Sequence, residues 1–204
     1  MRPLAALRRY MAAEDPRVAT ANLIAMVLAW NTPFYPIYVL GTAGAAMQPG
    51  AWFTVLSFPV FLAVPAVTRR NPLGGRALLA AAGLANTVYC TWLLGEAAGA
   101  QLFLLPCIVL APMLFRLRES AALCTFLGLP ILAGAVLHGN YPVSPMQCMD
   151  EACSALRWLN IISVICLLGF LGLLALRRLI QQAKPPLNDG AGLPSTHRPP
   201  PPIR

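Results

Sequence analysis

The sequence predicts an all-α fold, a polytopic membrane helix bundle with six transmembrane helices and both termini cytoplasmic. Composition is the first reason. Of the 204 residues, 58% are hydrophobic and 11% charged, whereas ordinary soluble domains carry about 25% charged residues. Mean hydropathy is +0.65. The second reason is the spacing of the charges. They leave neutral runs of 51 residues between Arg17 and Arg69, 19 between Arg76 and Glu96, 19 between Glu96 and Arg116, 30 between Glu119 and Asp150, and 19 between Arg157 and Arg177. About 20 apolar helical residues cross a bilayer. The third is the placement of the basic residues, which sets the orientation.

In chain order, residues 1–19 form a cytoplasmic basic leader. Leu4, Leu7 and Met11 with Arg8 and Arg9 can form a short amphipathic surface helix or a frayed leader. A cleaved signal is not indicated, because the apolar segment runs on to Val39 without a clean small-residue cleavage site. The transmembrane domain covers 20–176. Its first neutral run is too long for one crossing and breaks at GTAGAAMQPG, which yields spans near 20–40 and 51–68. The next spans fall at 77–95, 99–115 and 120–137. HGNYPVSPMQCM then leaves the lipid, and the sixth span lies at 157–176. Lipid offers no partners to backbone N–H and C=O groups, so each span must be a helix, and the alternation of a β-barrel is absent. Residues 177–204 are a Pro-rich cytoplasmic tail that cannot bury a core.

With six spans, one side holds both termini and the 69–76 and 116–119 loops. That side carries 14 of the 15 Lys and Arg residues, Arg157 being the exception. This is the positive-inside pattern of a bacterial inner membrane protein. It accounts for the net charge of +8 and removes the need for a nucleic-acid partner. The lipid bilayer is the partner implied instead.

Several spans contain proline: Pro33 and Pro36, Pro59 and Pro65, Pro106 and Pro112, and Pro130. Each frees a carbonyl and kinks its helix, and kinked helices can open a mid-membrane cavity. The sixth span repeats small residues at Cys166, Gly169, Gly172 and Ala175, which allows another backbone to come close.

Glu96 is the one acid between the third and fourth spans. A single helix across both flanking runs would be nearly twice the bilayer thickness, so GEAAG reads as a turn and Glu96 as an acid at the outer water interface. Arg157, at the head of the sixth span, is its candidate partner. Asn31, Tyr35, Tyr89, Glu96, Gln101 and Arg157 are the candidate ligand-binding residues, on the expectation that they converge beneath the outer face and take a small molecule there. Cys148 and Cys153 lie four residues apart in the outer loop and are a disulfide candidate. The spacing of His138, Cys148, Asp150 and Cys153 matches no zinc signature. No metal, cofactor or catalytic residue is expected, since the helices hold no embedded charge pair, no HExxH and no nucleophile elbow.

The hairpin LLGEAAGAQLFLLPCIVLAPMLF followed by RLRES resembles the six-helix N-terminal membrane module of some bacterial class III adenylate cyclases and sensor histidine kinases. Gly95, Glu96, Gly99, Gln101, Phe103 and Arg116 occupy the positions of that pattern, and the resemblance extends over most of 20–176. It implies a receptor-like or anchoring module with the sixth helix as output. Those family members continue into a catalytic domain, whereas this chain carries no nucleotide- or metal-binding carboxylates after the sixth helix, so no cyclase or kinase activity is carried over. The effector would be a separate cytoplasmic signalling partner, a homodimer mate, or a domain beyond Arg204. The alternative is a small transporter or permease subunit gated by the Pro-kinked helices, against which stand the lack of a buried charge and of an inverted repeat.

Overall fold

The computed structural model describes residues 2–43, 51–146 and 150–183. Among these, eight α-helices are joined by short 3-10 segments, and no strand occurs. Five helical stretches are long and apolar enough to cross a membrane: Pro16–Thr42, Trp52–Arg70, Pro72–Leu94, Leu117–Leu137 and Glu151–Gln181. A sixth, Ala100–Leu114, is apolar but shorter. Its 15 residues reach about 22 Å at 1.5 Å per residue, less than the ~30 Å hydrocarbon core.

Helix α1 (Arg2–Met11) is a formed helix docked on the bundle. The Tyr10 hydroxyl donates to the Leu62 carbonyl at 2.7 Å, and the Arg69 guanidinium donates to the Arg9 and Tyr10 carbonyls. Leu4 and Leu7 remain exposed. Helix α2 (Pro16–Asn31) starts at Asp15, whose carboxylate accepts the Arg17 N–H, with Pro16 at the first position. Pro33 and Pro36 cannot donate to the helix ladder, and the chain tightens into a 3-10 turn over Thr32–Phe34 before α3 (Tyr35–Ala43) resumes. The first predicted span is therefore a broken helix, longer at its start than 20–40.

After a 3-10 segment over Trp52–Ser57, α4 (Phe58–Arg70) carries Pro65 within it. Thr68 bonds back to the Pro65 carbonyl and across to Asn22 of α2 at 2.9 Å. The α4–α5 turn is tight: a Cβ on Gly75 would fall inside Thr68. Helix α5 (Pro72–Leu94) begins with the Asn71 side chain accepting the Gly74 N–H and ends at Gly95, φ +84°. Helix α6 (Leu104–Leu114) follows a 3-10 segment over Ala100–Phe103. Helix α7 (Ser120–Leu137) has the limits that the sequence predicts. Helix α8 (Asp150–Ala183) runs 34 residues, about 51 Å, and overshoots the predicted 157–176 at both ends because its flanking polar residues continue the helix into water. Of the predicted tail 177–204, residues 177–183 are instead the end of α8, and the predicted break at 41–50 falls mostly on residues 44–50 and the rest of the tail on 184–204. Both lie outside the described residues.

The larger core cluster joins α2, α4, α5 and α6 through residues such as Ile24, Phe61, Val64, Leu79 and Leu114, with Leu171 of α8 packed in. A smaller cluster at the opposite end gathers Val39, Leu93, Leu94, Ala98 and Leu156. Helix α7 is the least enclosed, and Gly169 and Gly172 of α8 have nothing within 4 Å of a Cβ position. Ala175 of the small-residue stripe packs against the larger core, while among the described residues the two glycines stay open, so the spacing still permits a neighbour there.

At one end of the bundle, arginines from three helices converge on the C-terminus of α6. The last carbonyls of any helix lack intrahelical donors and carry partial negative charge. Here Arg17 donates to the Pro112, Met113 and Phe115 carbonyls, Arg76 to Leu114 at 2.6 Å, and Arg178 to Met113 at 2.7 Å and to Pro16. Arg76 is 3% exposed and forks onto both Glu119 oxygens at 2.8 and 2.6 Å. Arg116 pairs with Asp15 at 2.7 Å. Partial burial pushes the Asp15 carboxyl up, but the Arg17 amide and the Arg116 and Arg76 guanidinium charges outweigh it and hold the group below its ordinary value.

Candidate ligand-binding cavity

Helix breaks, rather than charges, make the central cavity. Where α2 gives way to its 3-10 turn, the bundle encloses about 110 Å³ between α2, α3, α5 and α6. One water takes about 10–15 Å³ on this measure, so the space holds several waters or a small molecule. Its polar wall comes from Asn31, Thr32, Tyr35, Thr54, Asn86 and Thr87, with the Cys90 and Cys107 thiols beside them. Its apolar wall includes Ile24, Phe61, Leu110 and Leu171. No charged side chain lines it.

Several hydroxyls are spent on the backbone: Thr32 donates to Leu28, Thr54 to Ala51 and Thr87 to Gly83. Such bonding to the preceding turn is the usual fate of Ser and Thr in apolar helices. It leaves each of these oxygens facing the cavity as an acceptor, while the Asn31 and Asn86 amides supply N–H donors.

Tyr35 points out of the cavity wall into a chain of bonds. Its hydroxyl donates to the Asn160 Oδ1 of α8 at 2.9 Å, and Asn160 Nδ2 donates to the Ala98 carbonyl at 2.8 Å. Asn160 is fully buried. The cavity wall, α8 and the Gly95–Gly99 turn are therefore joined by a single side chain.

That turn is held from every side. Gly95 and Gly99 take positive φ, +84° and +75°, which side chains rarely adopt. Arg157 packs against Gly99, where a Cβ would sit 3.1 Å from its Cγ, and donates from Nε to the Ala97 carbonyl at 2.9 Å. Ser144 donates to the Leu93 carbonyl. Glu96 accepts the Gly139 N–H at 2.9 Å and lies 3.5 Å from His138 Nδ1.

The candidate residues therefore divide among separate places. Asn31 and Tyr35 line the central cavity. Tyr89 instead packs on Trp92, ring centroids 5.9 Å apart, in an apolar groove between α5 and α7. Glu96 and Gln101 line a trench between α6 and α7, and Arg157 serves the turn. The candidate Glu96–Arg157 pair is not among the ion pairs of the described residues: Glu96 accepts the Gly139 N–H and Arg157 donates to the Ala97 carbonyl. Thr54, Thr87, Cys90 and Cys107 were not anticipated at the cavity. On α5 the spacing of Asn86, Thr87 and Cys90 at helical intervals was the available signal.

Cys153 is disulfide-bonded, while Cys90, Cys107, Cys124 and Cys166 are free. Its candidate partner Cys148 lies outside the described residues. No protein-family model matches this chain, and neither a curated protein nor a solved structure matches it.

Proposed function

We propose that this chain is a membrane-embedded sensory or regulatory module. A small uncharged molecule in the central cavity biases the packing of α8, and α8 carries the change to a cytoplasmic effector. In this reading the protein sits in a bacterial inner membrane with six crossings, the short α6 segment reaching the outer face through the Gly95–Gly99 turn. The arginine-rich end and both termini face the cytoplasm, in keeping with the positive-inside rule. The effector is a homodimer mate or a separate signalling protein, and no step of catalysis is assigned to the chain itself.

The observation that carries the reading is the Tyr35–Asn160–Ala98 relay. Occupation of the cavity next to Tyr35 alters a bond that α8 must keep or lose, and differential contact in two states is what lets a ligand shift an equilibrium. A second reading, a small transporter, draws support from the break in the first span at the cavity edge, since discontinuous helices often flank substrate sites.

One experiment separates them. Spin labels at Leu179 and Arg118, both exposed, are placed in a background with the four free cysteines replaced by alanine, and Gly83→Leu fills the cavity. The sensory reading expects the interlabel distance distribution to shift in the filled variant. An unchanged distribution, together with glycerol or urea flux into proteoliposomes that Gly83→Leu abolishes, would overturn it in favour of transport.

A further inference from the structure

A second cavity lies apart from the central one. Between α6 and α7, at the end bearing the Gly95–Gly99 turn, a trench of about 320 Å³ has a polar mouth formed by Glu96, Gln101, His138 and Tyr141. Below the mouth it is apolar, walled by Leu104, Leu105 and Ile108 on α6 and by Pro130 and Ile131 on α7. Leu105 and Ile131 are 50% and 54% exposed, so the trench opens sideways onto the surface that faces lipid.

The mouth is rich in acceptors and short of donors. The carboxylate of Glu96 offers about four lone-pair directions and receives a single protein N–H, that of Gly139. Among the described residues the buried Gln101 Oε1 has no hydrogen-bond partner, and the buried Tyr141 hydroxyl has only the Thr91 hydroxyl beside it. Thr91, beside Tyr141, spends its own proton on the Thr87 carbonyl. The one basic group near Glu96 among the described ion pairs is His138, which is 77% exposed. Arg157, the guanidinium on this turn, is taken up by Ala97.

We propose that this trench binds an amphiphile with a primary ammonium head group, its nitrogen among Glu96, Gln101 and Tyr141 and one alkyl chain between α6 and α7. A primary ammonium carries three donors and no acceptor, which matches three acceptor oxygens around one negative charge. A quaternary trimethylammonium carries the same charge and no N–H, so it offers Gln101 and Tyr141 no proton. The stretches Gln101–Ile108 and Ile131–His138 each extend about 10 Å as helix, a length of apolar wall suited to the upper part of a chain whose head lies at the turn.

The test is native mass spectrometry of the full chain in a neutral detergent, titrated with phosphatidylethanolamine or phosphatidylcholine and read as lipid-bound fraction. The wild type should retain phosphatidylethanolamine at about tenfold lower concentration than phosphatidylcholine, the equivalent of one charge-assisted contact. Glu96→Gln should erase that preference, Tyr141→Phe should reduce it while leaving the Glu96 turn intact, and Ile108→Trp should weaken retention of both lipids by filling the trench. Retention of both lipids at equal concentration by the wild type, or a preference that survives Glu96→Gln, overturns the proposal. Dodecylamine and dodecyltrimethylammonium identify the source of the head group. Displacement of phosphatidylethanolamine by dodecylamine alone shows that the ammonium suffices and supports the proposal. Tight dodecylamine binding without lipid retention assigns the site to a free amine and supports it as well. Failure of dodecylamine to displace the lipid shows that the phosphate governs recognition and overturns it.

Discussion

Asn160→Leu isolates the bond chain between the cavity wall and α8. Leu keeps the branching and heavy-atom count of Asn but is bulkier, so the swap crowds a buried position while the half-buried Tyr35 and the buried Ala98 carbonyl lose their bonds at 2.9 and 2.8 Å. Interhelical bonds in membranes average about 0.6 kcal/mol and reach about 1.7, and a buried group left unsatisfied loses about 1–3 kcal/mol. With Asn160 and Ala98 both at 0% exposure the Ala98 carbonyl finds no water readily, while Tyr35 keeps access to the cavity, which places the loss at about 1–3 kcal/mol. Tyr35→Phe breaks one of the two bonds and leaves Ala98 paired, so it should destabilise by roughly half as much. The double variant should match Asn160→Leu alone, because Tyr35 has nothing left to bond once Asn160 is gone. The assay is unfolding by sodium dodecyl sulfate in mixed micelles, followed by far-ultraviolet circular dichroism. Additive losses in the double variant, or a Tyr35→Phe loss equal to that of Asn160→Leu, would refute the relay.

Three other outcomes follow from the packing, each read in the same unfolding assay. Gly75→Ala drives a methyl into Thr68 side chain and backbone and should destabilise by about 1–3 kcal/mol, whereas Gly169→Ala, with nothing within 4 Å, should be neutral or stabilising by up to about 1 kcal/mol. Glu119→Gln removes the charge that Arg76 forks onto while Arg76 stays 4% exposed, and should destabilise by about 2–4 kcal/mol; Arg118→Gln on the same turn, exposed, should stay within about 0.5 kcal/mol. Asp15→Ala loses a helix cap and an ion pair and should destabilise by about 1 kcal/mol. Because the folded Asp15 carboxyl sits below its ordinary value, its contribution is present above the unfolded carboxyl's range and fades as pH falls through the lower folded value, so the wild-type advantage over Asp15→Ala should vanish in strong acid.

The membrane helices were legible because a run of apolar residues between charges has few other ways to satisfy its backbone, and α7 shows how closely that logic can set limits. The Glu96 turn was legible for the same reason of length. What charge spacing could not convey is where polar groups meet. Arg17, Arg76 and Arg178 read as orientation signals, but their targets are the backbone carbonyls of 112–115, and every residue carries a carbonyl, so no pattern marks them. Glu96 and Arg157 invited pairing by charge alone, and both were claimed by peptide groups closer at hand. The polar candidates lay on known helices, yet Tyr89 and Asn86, three residues apart on α5, face a lipid-side groove and the central cavity respectively. Helix rotation decided between them, and rotation is set by packing partners that one sequence does not name.

Both ends of α8 are tied by arginines to the same neighbouring segment. Arg157 grips the Ala97 carbonyl at one end and Arg178 the Met113 carbonyl at the other. Twenty-one residues separate them in sequence, about 32 Å of helix, and both acceptors belong to the segment formed by the turn and α6. Between these grips α8 is among the less buried spans, held by few residues such as Val164 and Leu171. Apolar contacts with lipid and with protein are close in energy inside a bilayer, so the middle of α8 can shift at little cost while the ends resist. A change at Asn160, three residues from Arg157, therefore acts on one anchored end of a stiff rod. In the sensory reading proposed above, the response is to loosen or re-form the other anchor, the bond from Arg178 to the Met113 carbonyl.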